Sequence, residues 1–383
     1  MAVAEGAAMK LAITGIGMVS PLGLDAPTSC ASARAGLVRA APLDSFKIYN
    51  RGAWAHVGVV GHALREYAGG FAGLGRIVRL GSGALADLLR TFPLTPDDLR
   101  ATALCAVLPS GYFQIERARE LESNVDDRSA PEALKESLTQ HCLDRICNLC
   151  SIVIPSANRS LIFEDQAGFA GALKYAWQAL SSGRFERCIV GGLDACTDAD
   201  FLAAANHFKA LKTEERPAGF QPGEAAAFLL VETAAMAFKR GSRVLAWVEA
   251  AAAGREQVSR CSRKPALGIG LTETIAACLN FLPEPNGVGW TLADLNGDVF
   301  RANDWGYAAT RLAARGRRIG ALPITMPAES FGEIGSAQGA VASCMAVRAF
   351  VRSYAPAPRV LVWLSSYDGG RGAFVIASDG DRS

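Results

Sequence analysis

The residues able to act as acid, base, nucleophile or metal ligand are unevenly spread along this 383-residue chain. Its only histidines are His56, His62, His141 and His207, so no imidazole is available after residue 207. A Ser/His/Asp arrangement has no support, because no histidine sits in a recognisable motif and Ser330 and Ser336 suit small positions in a helix. His141, Cys142, Cys147 and Cys150 lie close together. A single Cys-x2-Cys without a second pair is a weak zinc signal, and adjacent His and Cys on a helix give poor tetrahedral geometry, so no metal is expected. Most of the ten cysteines, among them Cys105, Cys188, Cys278 and Cys344, fall inside apolar runs and act there as small hydrophobes. A reduced, cytoplasmic protein is expected. The glycine-rich stretch TGIGMVSPLG fails as a dinucleotide fingerprint, since Ser20 stands at the third glycine position, and no cofactor is expected.

The elements that would position any site are organised around Leu161–Cys196, LIFEDQAGFAGALKYAWQALSSGRFERCIVGGLDAC. The pattern predicts a strand end, a turn, a small-residue helix, a glycine break and a buried strand closed by Gly191-Gly192. Ala167, Gly168, Ala170, Gly171 and Ala172 put almost no bulk on the helix start, so other backbone can approach closely. Phe169, Leu173, Ala176 and Leu180 recur at helical spacing, and Cys188-Ile189-Val190 suits a strand covered on both faces. Further strands are expected at Leu11–Gly17, 54–60, Leu104–Leu108, Phe228–Val231, Arg243–Ala250 and Leu292–Leu295. Helices are expected at Arg76–Leu89 and Gly332–Phe350, with a closing hairpin of Arg359–Leu364 and Gly372–Ala377. Glu116–Arg145, with ERARELE, Asp126-Asp127 and Pro131, suggests a solvated helical excursion. Gly168 and Ile189 in one half echo Gly339 and Leu361 in the other, at offsets of 171 and 172 residues, which suggests an internal duplication.

Half the residues are hydrophobic and 20% are charged, with a net charge of +2. Such a chain is globular and can bury a large core. It lacks both the basic runs of a nucleic-acid binder and the ~18-residue apolar stretch of a membrane span. The opening MAVAEGAAMKLAITGIGMVSPLG is broken by Gly15, Gly17 and Pro21, and suits a first core strand rather than a signal peptide.

Three stretches carry a resemblance: LIFEDQAGFAGALKYAWQALSSGRFERCIVGGLDAC, TGIGMVSPLG, and GFQPGEAAA at 219–227. Together they resemble the β-ketoacyl synthase branch of the thiolase superfamily over nearly the whole chain, except about 112–150. The resemblance implies an α/β, thiolase-like five-layered α-β-α-β-α fold with two duplicated halves, 9–240 (with an insertion about 112–150) and 241–383. Ketosynthases attack an acyl thioester with a helix-terminal cysteine thiolate and use two histidines to polarise a malonyl carbonyl as CO2 leaves. By the family's spacing the cysteine position holds Gln166, and the histidine positions hold Asn296 and Glu333. The upstream lysine position holds Ala328, and the aromatic gate position holds Asp368.

A competent condensing site is therefore not expected: no catalytic residue is intact, and the degenerate positions are Gln166, Asn296 and Glu333. In a filled pocket Gln166 and Asn296 would hydrogen-bond each other, with Asp165 as a helix cap. The leading expectation is a non-enzymatic binding scaffold or adaptor. One such group is the thiolase-like accessory proteins associated with type VI secretion, which DLNGD-x-x-RANDWGYA with Arg301 and Trp305 resembles. The alternatives are a chain-length-factor-like partner of an active synthase, or a Gln-type decarboxylase of malonyl carrier protein. In the latter, Gln166 and Asn296 would serve as donors worth ~3–4 kcal/mol each at an oxyanion, but Glu333 would repel the malonyl carboxylate. Expected partners are a second copy joined through the core-strand edge, and a secretion effector or adaptor component, or else a ketosynthase or acyl carrier protein. Neither nucleic acid nor membrane is expected.

Overall fold

The computed structural model describes residues 5–121, 129–282 and 287–380; Asp126-Asp127 lies outside them. Twelve strands form in chain order: β1 (Glu5–Val19), β2 (Ala41–Asn50), β3 (Ala55–Gly61), β4 (Thr102–Val107), β5 (Arg159–Ile162), β6 (Arg187–Ala195), β7 (Glu224–Thr233), β8 (Ala246–Arg255), β9 (Trp290–Ala293), β10 (Ile324–Thr325), β11 (Arg359–Ser365) and β12 (Gly370–Ser378). All but the β2–β3 hairpin join in the order β10-β9-β11-β12-β8-β1-β7-β6-β4-β5. The long strand β1 is the seam: Leu11–Val19 pairs with β7, while Glu5–Ile13 pairs with β8. Two five-stranded halves result, each mixing parallel pairs (β4 with β5 and β6; β9 with β10 and β11) with antiparallel ones (β6 with β7; β11 with β12).

Alternation along the strands divides the apolar residues into layers. In β4, Ala103, Cys105 and Val107 face the central cluster, whereas Leu104 and Ala106 face an outer one. In β11, Val360 and Val362 face the same central cluster, and Leu361 and Trp363 an outer cluster of their own. Both inner faces close on two helices, Gly168–Ser181 and Gln338–Val351. The outer faces are covered by Gly73–Thr91 and Ser129–Leu149 on one side, and by Ile269–Asn280 and Val299–Ala314 on the other. The succession is thus helix, sheet, helix, sheet, helix, and inner strands such as β4 and β11 carry apolar side chains on both faces, as covered strands must. Small residues allow the two central helices to touch: a Cβ on Gly339 would lie 2.5 Å from Phe169 Cβ.

The expected solvated excursion is half corrected. Tyr112–Leu121 is a half-exposed helix, but Ser129–Leu149 buries Leu138, Cys142, Leu143, Ile146 and Cys147 against the sheet and forms part of the outer layer. Its charged residues concealed an apolar stripe. The helix expected from Gly332 begins only at Gln338, because Gly332 (φ +72) and Gly335 (φ +50) turn the backbone first. Trp290 and Trp305 are core residues, Trp305 stacking on Trp363 with centroids 4.7 Å apart. Among the described residues, no helix is long and apolar enough to cross a membrane.

Candidate functional site

The sequence-predicted positions come together at the ends of β6, β9 and β11, where four chain segments meet. Gln166 lies in the single turn Asp165–Ala167 that leads into the first central helix. Glu333 precedes the corresponding turn, Gly335–Ala337, before the second. Asn296 follows β9, and Tyr367 lies in the turn between β11 and β12.

Glu333 is the hub. Its Oε1 accepts from Gln166 Nε2 at 2.5 Å and from the Gly335 amide at 3.0 Å. Its Oε2 accepts from Arg301 Nη1 at 2.9 Å and from Asn296 Nδ2. The two amides do not bond each other, contrary to expectation; the carboxylate stands between them. Asn296 Nδ2 also donates to the Tyr367 hydroxyl at 2.7 Å. Each amide nitrogen thus spends one N–H on the same charge-assisted acceptor, and Asn296 spends its second on Tyr367.

Sequence reasoning did not place Arg301, Asp194 or Tyr367 at the centre. Arg301 is 1% exposed and ion-pairs with Asp294 at 2.8 Å as well as with Glu333. Burial works against its charge, but the pull of Asp294 and Glu333 prevails and its pKa rises. Its guanidinium stacks over the Tyr367 ring at 4.3 Å, so Tyr367, and not Asp368, brings the aromatic group to the site; Asp368 turns outward to Arg255. Burial pushes the Tyr367 phenol well up. The available signal was chemical: an acid inside an apolar run, as in IVGGLDA and TLADL, requires a partner.

Asp165 does not cap the helix. It sits at φ +50 and its carboxylate accepts from Ser110 N and Oγ, both at 2.6 Å. Asp194 Oδ2 accepts from Ser336 N and Oγ at 2.9 and 3.2 Å, and Oδ1 from Ala195 N at 2.7 Å. Although Asp165 keeps some exposure at the cavity wall, protein mass surrounds it closely, and burial pushes its carboxyl up to about 6. Burial pushes Asp194 up to about 7. Both groups bind protons more tightly folded than unfolded, so their contribution favours the fold below about pH 4 and is lost as pH rises through 6 to 7. Thermal scans should therefore show an unfolding temperature lower at pH 8 than at pH 5. The decline should be shallower in Asp165→Asn, and an unchanged slope in that variant would refute the assignment.

A cavity of about 740 Å³ ends at this cluster, lined there by Asp165, Gln166, Asp194, Cys196, Glu333 and Tyr367. Cys196 offers no nucleophile, since burial, then Asp194, raises its thiol well above the ordinary value. No histidine lines the cavity: His62 faces Gln221, His207 pairs with Glu120, and His56 meets Tyr49.

No protein-family model matches this sequence, and no curated protein matches it. Solved structures do. The fold is similar to "the ishigamide ketosynthase/chain length factor", with TM-score 0.72 and 18% identity over 98% of this chain and 100% of that one. It is similar to a chain of the type II polyketide synthase complex AntDE:AntF, an acyl-carrier protein with its ketosynthase bound to the hexaketide. There the TM-score is 0.70 and identity 16%, over 97% of this chain and 100% of that one. An oxazolomycin ketosynthase domain from Streptomyces albus JA3453 gives TM-score 0.70 and 14% identity over 98% of this chain and 75% of that one. The fold is therefore thiolase-like, as its resemblance implies.

Proposed function

We propose that this chain is a non-condensing, ketosynthase-like subunit that pairs with an active ketosynthase in the manner of a chain length factor. The observation that carries the proposal is the Glu333 carboxylate. It occupies the point between Gln166 and Asn296 where condensation would need a thiolate and two imidazoles, and it engages both amide donors. The same contact weighs against a Gln-type decarboxylase, whose malonyl carboxylate would meet Glu333. Similarity across the full length of a ketosynthase/chain length factor structure supports the pairing. So does the half-buried edge strand β5, which among the described residues has a sheet neighbour on one side only and is a natural place for a second subunit to add.

The test is affinity purification of the tagged protein from its native host, with mass spectrometry of what accompanies it. A ketosynthase at equal stoichiometry, with or without acyl carrier protein, is the expected result. Recovery of secretion-spike or effector proteins in its place, or of a homodimer alone, would overturn the pairing and return the chain to the type VI adaptor role that its 294–308 segment resembles. In neither case should the isolated chain release CO2 from malonyl carrier protein.

A further inference from the structure

We propose that a second cleft, lined by Arg243 and Arg348, binds a small phosphomonoester, the phosphate on the guanidinium groups and an apolar body against the wall around Phe92. The cleft has a volume of about 500 Å³, within the range of small-molecule sites, and shares no lining residue with the cavity that ends at Gln166. The inference goes beyond the subunit pairing and does not rest on it.

The cleft forms where separate segments end side by side. Thr14 and Ile16 come from β1, and Phe92 directly follows the helix Gly73–Thr91. Arg240, Ser242 and Arg243 follow the short helix Ala234–Lys239, and Arg348 lies in the last turn of Gln338–Val351. Among the described residues the lining holds three arginines and no acid. The neighbouring carboxylates are already committed. Glu232, 1% exposed, pairs with Arg240 and accepts from Thr14 Oγ1 at 3.2 Å. Asp87, one turn before Thr91, pairs with Arg90 and accepts from the Met18 and Ala26 amides. Arg243, Arg348 and the Ser242 hydroxyl make no hydrogen bond or ion pair among the described residues.

A cation in the last turn of a helix complements its dipole, which accounts for Arg348. It does not account for Arg243, which is exposed in the loop before β8 and lines the same recess. Two unpartnered guanidinium groups from separate segments, in a concave and partly apolar recess, focus a positive field that an anion relieves. A guanidinium matches phosphate oxygens with a planar fork of N–H donors. A phosphomonoester offers three terminal oxygens to the two arginines and the Ser242 hydroxyl, where a carboxylate offers two. The remaining wall is apolar, with Ile16, Phe92, Pro93, Leu245, Val347 and Val351, and suits a ring or a short alkyl chain. Inorganic phosphate leaves that wall wet, and a phenol leaves the arginines uncompensated.

Isothermal titration of the full chain at neutral pH and low salt, with phenyl phosphate, inorganic phosphate, benzoate and phenol, tests this. Phenyl phosphate should bind about tenfold more tightly than inorganic phosphate or benzoate, and phenol should not bind. Arg243→Gln and Arg348→Gln should each weaken phenyl phosphate by about tenfold, and Arg243→Glu should abolish its binding. Arg243 is exposed, so the unfolding temperature of its ligand-free variants should stay unchanged. Arg318→Gln, at an exposed arginine outside the cleft, should leave binding as it was. The proposal is overturned if phenyl phosphate does not bind at millimolar concentration, if any of the other probes binds as well, or if the Arg243 and Arg348 variants bind it unchanged. None of these results depends on which protein accompanies the chain in its host, so this inference and the subunit pairing fail separately.

Discussion

Replacing Arg301 with methionine should destabilise the fold by about 3–5 kcal/mol, the range for removing one partner of a buried ion pair. The guanidinium is 1% exposed and bonds Asp294 and Glu333, which are 2% and 3% exposed. Methionine keeps much of the volume, so the loss reports charge rather than a cavity. Urea unfolding of the full chain measures it, since the midpoint shifts in proportion to stability at constant slope. Adding Glu333→Gln to the same chain should recover part of the loss, because only Asp294 then remains uncompensated, and the two substitutions should depart from additivity. A single-variant cost below about 1 kcal/mol would mean that these carboxyl groups do not depend on Arg301, and Glu333 would lose its role as an ionic hub.

Gly335→Ala should be comparably severe for a different reason. Gly335 has φ +50, and a Cβ built there lies 2.0 Å from Asp194 Oδ2 and 2.7 Å from its Cγ. The left-handed backbone alone costs an alanine roughly 1–2 kcal/mol. Forcing Asp194 aside would also break its bonds to Ser336, adding on the order of 1–3 kcal/mol. Gly183→Ala is the control: its φ is +70, but nothing lies within 4 Å of the built Cβ, so only the backbone term applies. Equal losses in the two variants would show that the contact with Asp194 contributes nothing.

Several features of the fold were legible from local pattern. Runs such as Leu104–Leu108 and Cys188–Val190 are apolar at every position because helices cover both faces of their sheet, and that produces a readable strand. The recurrence of a small-residue helix followed by a strand was legible as well: Gly168–Ser181 is followed by β6, and Gln338–Val351 by β11. The helix Ser129–Leu149 was misjudged because the charged run that precedes it and its own Lys135, Glu136, Asp144 and Arg145 indicated solvent, where the spacing of its apolar residues led to the core. The start of the second central helix was misplaced because small residues on either side of Gly335 look equally helical. Only the conformations at Gly332 and Gly335 separate turn from helix.

By itself the amino-acid sequence determined which functional groups are on hand: no histidine follows residue 207 and residue 166 is glutamine, so the Cys-His-His chemistry of the family it resembles is not expected. Residue identity is sufficient for that expectation, because a missing functional group cannot be supplied by folding. The tertiary structure decided what replaces that chemistry. Gln166, Asn296, Arg301 and Glu333 lie on four segments that no local pattern connects, and their bonding follows from how two sheet halves close around two helices. Even the placing of one aromatic ring, Tyr367 rather than Asp368, depends on the direction of a turn between β11 and β12. Which buried polar groups satisfy one another is a property of long-range packing.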